Sequence, residues 1–411
     1  MNWYSGQGPR LSFYLKEIDQ RAAGEDLPLL AVSTKHGVVR KSELSNGVTR
    51  ADSLQNYKVV VGNDIVLNRF NAYRGALGLA NERGVVSPDY STLRPIMGIP
   101  RYFDYWLRSA EVANAMKSTM GGLGAQDPDS SGFSRVDTKA LLRLRVHVPD
   151  VTEQLEIADY LDEQLVKIDL LIEKEKNLIM LSSERRIAAI SDLVTRGFRQ
   201  RGTSHWNACR LKHVATIFSS NVDKKTYDDG VPVKLCNYVN VYYNDRISEG
   251  LDFMEATASP GEIRKFQLRA GWVVATKDSE SADDIGIAAY VDKDLPGVVC
   301  GYHLAILQPS ECLNGLFLKY FLDSSEAKTQ LAKKATGLTR VGLGKGDFGS
   351  LVINVPPLNE QELIAATITE TCDRLDTLIA ASKDLISKLE ERRKALVSAA
   401  VTGKIDVRGK N

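Results

Sequence analysis

Two stretches decide the fold. Val148–Thr195 reads VPDVTEQLEIADYLDEQLVKIDLLIEKEKNLIMLSSERRIAAISDLVT, and Val355–Thr402 reads VPPLNEQELIAATITETCDRLDTLIAASKDLISKLEERRKALVSAAVT. They align without a gap at an offset of 207, and 20 of 48 positions are identical. Shared positions include Val148/Val355, Pro149/Pro356, Glu153/Glu360, Gln154/Gln361, Asp169/Asp376, the Glu184-Arg185-Arg186/Glu391-Arg392-Arg393 triplet and Val194-Thr195/Val401-Thr402. A repeat at this period makes the chain an internal duplication.

Both copies are helical by pattern. In the second, Ile364, Ile368, Leu375, Leu378, Leu385, Leu389 and Leu396 follow a 4-3-4-3 spacing, one stripe of a long helix. In the first, Ile157, Leu161, Ile168, Leu171 and Leu178 repeat it. Glu175, Ser182, Ser382 and Arg392 interrupt the stripe, and a second apolar line (Ile172, Ile179, Ile379, Ile386) runs beside it. Thr152 and Asn359 suit an N-cap, and Gly197 and Gly403 suit the C-terminal ends. A helix of about 45 residues spans roughly 65–70 Å at 1.5 Å per residue. Such a helix needs a partner for its apolar face. The simplest is its own repeat, packed antiparallel as a coiled coil; the alternative is that each helix packs only on its own globular unit.

Working outward, each helix follows a globular unit. The units share a plan and little detail. Each opens on a basic-apolar segment, Arg10-Leu11-Ser12-Phe13-Tyr14 and Arg210-Leu211-Lys212-His213-Val214. Strand-like runs follow at 28–32 and 232–236, then at 62–67 and 271–275, then at 85–87 and 298–300. Aromatic helix starts stand at Phe103–Leu107 and Leu318–Leu322. A Gly-rich loop closes each unit, Gly121-Gly122-Leu123-Gly124 running on to Arg135, and 337–346. A last strand, 144–148 or 351–355, leads to proline and the helix. Strands mixed with short helices predict an α+β fold used twice. The expected divisions are 1–147, 148–200, 201–354 and 355–411. The helices kept their identity while the globular units diverged, so the helices do one job twice and the units do related but different jobs.

Composition sets the bounds. Hydrophobic residues make up 43% and charged residues 26% of 411, ordinary for a globular chain. No apolar run approaches the roughly 20 residues of a membrane helix. The opening MNWYSGQG shows no basic patch followed by an apolar stretch, so the cytoplasm is the expected compartment, with no membrane partner. Five cysteines without a Cys-x-x-Cys pair suggest neither a disulfide framework nor a zinc site. Net charge is +1, which does not announce a polyanion partner. The charge is uneven: residues 1–150 hold 19 Lys+Arg, 13 of them Arg, against 15 Asp+Glu, and residues 151–200 hold 7 against 10.

Catalytic motifs do not stand up. Asn354-Val355-Pro356-Pro357-Leu358 differs from the Asn/Asp-Pro-Pro-aromatic motif of amino-group DNA methyltransferases by an extra residue and a Leu where the stacking aromatic belongs. Gly342-Leu343-Gly344-Lys345-Gly346 lacks the spacing and the Ser/Thr of a phosphate-binding P-loop. Pro149-Asp150, the possible start of a metal-nuclease motif, has Pro357 in its repeat. The histidines (36, 147, 205, 213, 303) show no metal-ligand spacing, and no Ser-His-Asp set emerges. No catalytic, cofactor-binding or metal-binding residue is therefore expected in this chain.

The loops fit DNA better. Backbone NH groups with Arg or Lys at a loop tip suit phosphates and base edges. The candidates are Lys35, Arg40, Lys41, Arg69, Arg74 and Arg135 in the first unit, among Phe70 and Tyr73. In the second they are Lys224, Lys225, Lys265, Lys277, Arg340 and Lys345. For each one singly, a solvated surface charge is the plain alternative.

The helical segments also carry a family resemblance. Pro-x-x-x-Glu-Gln-x-x-Ile-Ala at 356–365, Arg374-Leu375-Asp376-Thr377-Leu378-Ile379, Leu389–Leu396 and Ala400–Arg408 resemble the second repeat region of the specificity subunit of type I restriction–modification systems. Glu153-Gln154, Ile157-Ala158, Ile168-Asp169, Leu171-Ile172 and Glu184-Arg185-Arg186 match in the first copy, which ends on Arg196-Gly197-Phe198 in place of the fuller Gly403-Lys404-Ile405-Asp406. The resemblance implies two target-recognition domains, each followed by a long helix. It implies a non-catalytic DNA-reading subunit of a methyltransferase and restriction complex. Two methyltransferase subunits would dock along the helices, bringing S-adenosylmethionine and flipping the target adenine. Restriction (motor-nuclease) subunits would join them. Each domain would read one half of an asymmetric, bipartite double-stranded target in the major groove, with the helices as the ruler between halves. The rival reading is a protein–protein scaffold or adaptor. A self-contained methyltransferase or nuclease stands third, lacking its motif.

Overall fold

The computed structural model describes residues 8–34, 36–44, 54–121, 134–198, 203, 205–228, 230–337 and 340–407. It divides into two compact units, residues 1–175 with 384–411, and residues 176–383. The divisions fall inside the long helices rather than at their ends. Each half-helix buries its apolar stripe in the core of the unit it crosses, so contacts change owner mid-helix.

The first unit begins with β1 (Leu15–Ile18), β2 (Leu30–Ser33), β3 (Gly37–Arg40), α1 (Lys41–Leu44), β4 (Lys58–Val60), β5 (Ile65–Leu67), β6 (Leu77–Leu79), β7 (Gly84–Val86) and β8 (Ser91–Pro95). Then come α2 (Pro100–Arg108), α3 (Ala110–Ser118), β9 (Met120–Gly121), β10 (Arg135–Val136), α4 (Thr138–Arg143) and α5 (Val151–Arg196). An antiparallel sheet runs β1-β8-β5-β6, with two-stranded ladders β2–β3, β4–β7 and β9–β10 beside it. α2 starts on Pro100, whose fixed φ and missing N–H suit a first helical turn. Its Tyr102, Phe103, Trp106 and Leu107 share one buried face. Each such side chain contributes roughly 1.5–3 kcal/mol when fully buried. They join Ile157, Leu161, Leu165, Ile168 and Ile172 of α5, and Leu389, Val397, Ala400 and Val401, in one core.

The second unit is also α+β. It comprises β11 (Asn207–Arg210), β12 (Ala215–Ser219), β13 (Val231–Cys236), α6 (Tyr238–Tyr242), β14 (Arg246–Ile247), β15 (Met254–Ala258), α7 (Pro260–Phe266), β16 (Val273–Thr276), β17 (Asp278–Ser279) and β18 (Ala288–Val291). It continues with β19 (Val298–Cys300), β20 (Leu304–Pro309), α8 (Gly315–Asp323), α9 (Ser325–Ala332), β21 (Val341–Gly342), α10 (Lys345–Gly349), β22 (Val352–Val355) and α11 (Leu358–Val401). Its main sheet runs β12-β20-β16-β18-β14, beside β15-β13-β19 and the pairs β17–β21 and β11–β22. Ile190 and Val194 of α5 share its core with Ile364, Ala365, Ile368 and Cys372 of α11.

Several local expectations change. The last strand of the first unit is only one bridge, Arg145 to Arg10, whereas Val352–Val355 pairs fully with Asn207–Arg210. α5 is capped by Asp150, whose carboxylate accepts from the Glu153 amide at 3.0 Å, so Thr152 lies inside the helix. α11 begins at Leu358, so Asn359 is also inside. Gly197 and Gly403 end the helices in the left-handed region, at φ +60° and +68°.

The seam needs a correction too. Ile157, Leu161, Ile168, Ile364, Ile368 and Leu389 are buried, and Leu178, Leu375 and Leu396 are half-buried. Leu171, Leu378 and Leu385 are 47%, 40% and 42% exposed. The buried line passes through Ile172 and its half-buried neighbours Ile179, Ile379 and Ile386 instead. It then admits the buried Ser182 and Ser382. Hydrophobicity alone favoured the leucines; one residue is 100° around a helix, enough to move a side chain from seam to solvent.

The joints between helix and globular part share several contacts. In the first unit Gln154 Oε1 accepts from the Ile99 amide at 2.8 Å, while its Nε2 donates to the Pro149 carbonyl at 2.8 Å. In the second, Gln361 Oε1 accepts from the Asn314 amide at 2.7 Å, and its Nε2 donates to the Pro356 carbonyl at 2.8 Å. Ser398 Oγ accepts from the Ala110 amide, and Ser191 Oγ from the Ser325 amide, each at 2.9 Å. Arg393 pairs with Asp169 at 3.0 Å, and Arg186 with Asp376 at 3.6 Å.

Candidate nucleic-acid interface

In the first unit β5 delivers the chain to the turn Asn68–Arg74, and β10 closes over it. The Val136 amide donates to the Arg69 carbonyl at 2.9 Å, and Arg69 Nε returns a bond to the Val136 carbonyl at 3.0 Å. This fixes Arg135 beside the turn, its guanidinium 5.7 Å from the Phe70 ring centre and 4.0 Å from Asp89. Arg74 and Lys117 both lie over Tyr73, at 5.2 and 5.4 Å. Arg74 and Arg135 thus each lie over an aromatic ring of the turn that carries Arg69, a cation–π arrangement that orients the guanidinium.

The other first-unit candidates stand apart. Arg40, on β3, is held by Glu82 through two bonds of 2.7 and 2.6 Å. That hydrogen bond raises the Arg40 guanidinium above its usual range and lowers Glu82. A bidentate carboxylate already fills the fork that a base or phosphate would take. Lys41 opens the short α1. Lys35 lies outside the described residues, as does most of the Gly-rich loop, 122–133.

In the second unit the equivalent place lies after β16. The Lys277 amide donates to the His303 carbonyl, and its own carbonyl accepts from the Leu343 amide. Asp278 takes His303 Nδ1 at 2.7 Å, and the Tyr302 ring lies tilted against His303 with centroids 3.7 Å apart. The Tyr302 amide also reaches the Val222 carbonyl, which places the loop carrying exposed Lys224 and Lys225 next in line. Asn221 bonds Glu262 at 2.9 Å, bringing α7 and its exposed Lys265 alongside. Arg340 is exposed at the start of β21. A Cβ on Gly337 would lie 1.9 Å from the Arg340 carbonyl oxygen, so only glycine allows that turn. Lys345 is exposed at the first turn of α10.

Sequence reading missed the tyrosines of α6. Tyr238 and Tyr242 stack at 5.3 Å, and Tyr243, 76% exposed, meets Tyr242 edge-on at 4.9 Å. The Tyr242 hydroxyl donates to Asp284 at 2.8 Å. Burial and Asp284 push the Tyr238 hydroxyl up, against the lowering effect of Ser279 and Arg340. Its signal was available: tyrosines four apart share a helix face. Lys117 was missed because only the fold sets it over Tyr73.

Side chains of this kind recognise a polyanion with stacked faces. Among the described residues no group of three His, Cys, Asp or Glu side chains is placed to hold a metal, and no helix is long and apolar enough to cross a membrane.

Comparison with known proteins shows what the chain is similar to. Residues 203–391 match the family model of the type I restriction modification DNA specificity domain. The chain is also similar, at 23% identity over 68% of its length and 67% of the relative's, to the type I restriction enzyme MjaVIII specificity subunit of Methanocaldococcus jannaschii. It is 25% identical to the EcoKI specificity subunit of Escherichia coli over 34% of this chain and 30% of that one. A solved chain from work on complex assembly and conformational transition of the type I R-M system superposes with a TM-score of 0.69, at 16% identity and 97% coverage of both chains. The HsdS subunit of Thermoanaerobacter tengcongensis gives 0.55 at 16% identity, covering 97% of this chain and 96% of that one. These two likenesses show a shared fold. Together the matches agree with the resemblance read from the helices: the chain is similar to specificity subunits of type I restriction–modification systems, and shares their fold.

Proposed function

We propose that this chain is the non-catalytic DNA-reading subunit of a type I restriction–modification complex. It is an internal duplication whose long helices pack antiparallel as a coiled coil. Each globular part reads one half of a bipartite, asymmetric target, and the helices set the gap.

The observation that carries this reading is the repeated joint. Gln154/Gln361, Ser191/Ser398, Asp169/Asp376 and Arg186/Arg393 are each 207 residues apart, and each makes the equivalent contact in its unit. Antiparallel packing is supported by the ion pairs: seventeen residues forward on α5, from Asp169 to Arg186, correspond to seventeen back on α11, from Arg393 to Asp376. Asymmetry of the target is supported by the different surfaces on the two joints, arginines over Phe70 and Tyr73 in one, and tyrosines with Lys277 and Arg340 in the other.

Partners follow from what the chain leaves exposed. Leu155, Val166 and Leu170 face solvent on α5, and a protein docked along the helix would cover them. Methyltransferase subunits, two by the duplication, are that partner; they bring S-adenosylmethionine and the chemistry on a flipped adenine. Restriction subunits complete the assembly, which works in the cytoplasm. Mapping modified adenines across the genome with and without this gene tests the reading. The expected result is a split motif that vanishes with the gene; methylation unaffected by the deletion contradicts it.

A further inference from the structure

We infer that Gln154 and Gln361, each acting with a serine of the opposite helix, are positioning residues that fix the gap between half-sites. The inference rests on the bipartite reading above. Gln154 and Gln361 are 2% and 0% exposed, so neither touches DNA. Each side chain uses both ends of its amide. It ties the backbone just before α2 or at the N-cap of α8 to the proline carbonyl that precedes the long helix. Gln361 adds a second donated bond, to the Cys312 carbonyl at 2.9 Å.

The serines make a second attachment point. Ser398 and Ser191 hold the first amides of α3 and α9. In the first unit the two points are separated by the nine residues of α2, roughly 13 Å of helix. One attachment leaves a hinge; two that far apart remove rotation about it. Ser398 and Ser191 come from the helix that does not follow their own globular part, so each part is clamped between the start of one helix and the end of the other. A domain roughly 30 Å across that tilts by about 10° moves its far surface by roughly 5 Å, more than the 3.4 Å base-pair rise. A loose clamp therefore blurs the gap by a base pair or more without changing which bases are read.

Gly98 shows how closely the first clamp is fitted. It sits at φ +93°, and a Cβ there would lie 2.5 Å from Gln154 Oε1 and 2.9 Å from Phe103. Gly98→Ala should push the glutamine out of its place while leaving both serine contacts chemically intact.

The test replaces the chromosomal gene with S398A, Q154A or G98A and maps modified adenines genome-wide, alongside thermal unfolding of each purified full chain. Wild type should give two half-sites at one gap length. Q154A and S398A should keep both half-site sequences, and preference for that gap over a neighbour one base pair away should fall by about tenfold, equivalent to 1.4 kcal/mol. S398A loses a half-buried hydroxyl, with its bond from the Ala110 amide and its contact to Glu111, and should melt near wild type, so its gap effect is not a folding effect. A wild type with one gap and S398A and Q154A variants with the same sharp gap overturn the clamp alone. A wild type with no split motif overturns the bipartite reading, and the clamp with it.

Discussion

The two units share the glutamine and serine hydrogen bonds at the joint, with Gln361 adding one to the Cys312 carbonyl, and differ just beside it. In the first, Arg101 pairs with Asp159 at 2.7 Å and with Asp162, and Asp162 also takes the Tyr105 hydroxyl at 2.5 Å. In the second, Leu316 stands where Arg101 does relative to the helix cap, and Tyr320 bonds Thr369 at 2.8 Å. The intrahelical pair is reversed as well: Asp104–Arg108 in α2, Lys319–Asp323 in α8. On the proposed duplication, the contacts that would define orientation are the shared ones, and those that add stability alone differ in charge, hydroxyl or apolar packing. The difference separates geometry from glue.

The largest break in this comparison is expected at Lys319, whose side chain is 2% exposed between Asp245 at 2.5 Å and Asp323 at 2.7 Å. Lys319→Ala strands Asp323 and should cost about 3 kcal/mol by chemical denaturation, in the range for breaking a buried pair. Asp104→Ala, its counterpart, should cost about 1 kcal/mol, since Arg108 keeps the Gly75 and Leu77 carbonyls as partners. Equal losses would remove the distinction.

Gly98→Ala comes next. The positive φ and the close approach to Gln154 should cost about 1–3 kcal/mol, and hydrogen exchange should place the loss in the first unit alone. Protection lost equally in 205–355 would contradict it.

Acid separates the units on a smaller scale. Burial pushes the Asp245 carboxyl up, but Lys319 and Arg186 outweigh it and hold it below its usual value. Its contribution is complete above the ordinary carboxylate range and is lost as pH falls through the depressed folded value. Asp245→Asn should therefore flatten the acid limb of the stability profile below about pH 4. A limb of unchanged slope would show that the triad carries no such linkage. Burial also pushes the Cys236 thiol up to about 12, whereas Cys312 is exposed. At pH 8 a thiol reagent should label Cys312 and spare Cys236 until the second unit unfolds; early labelling of Cys236 would mean its strand opens independently.

Much of the frame was legible, because a 48-residue repeat at constant offset leaves little freedom in how the helices are built. The choice between Leu171 and Ile172 for the seam was not. Both are apolar, and only the facing surface decides which is buried. The site was legible in part. Arg69, Arg74 and Arg135 were picked as loop cations, and the pairing of Arg69 with Val136 puts them together. Arg40 looked the same in sequence, yet its partner Glu82 lies 42 residues away, a distance no local pattern reaches. The clamp was hidden for a different reason. Gln154 and Gln361 read as part of a Glu-Gln pair in a first helical turn, and nothing local says their amides reach Ile99 and Asn314.

If two equivalent frames carry two different readers, a chain whose residues 208–351 are replaced by a second copy of residues 8–144 should change its target. Its modified-adenine motif is expected to be symmetric, the first half-site and its inverted repeat at the wild-type gap. The original asymmetric motif, or a motif in which neither half is kept, would contradict it.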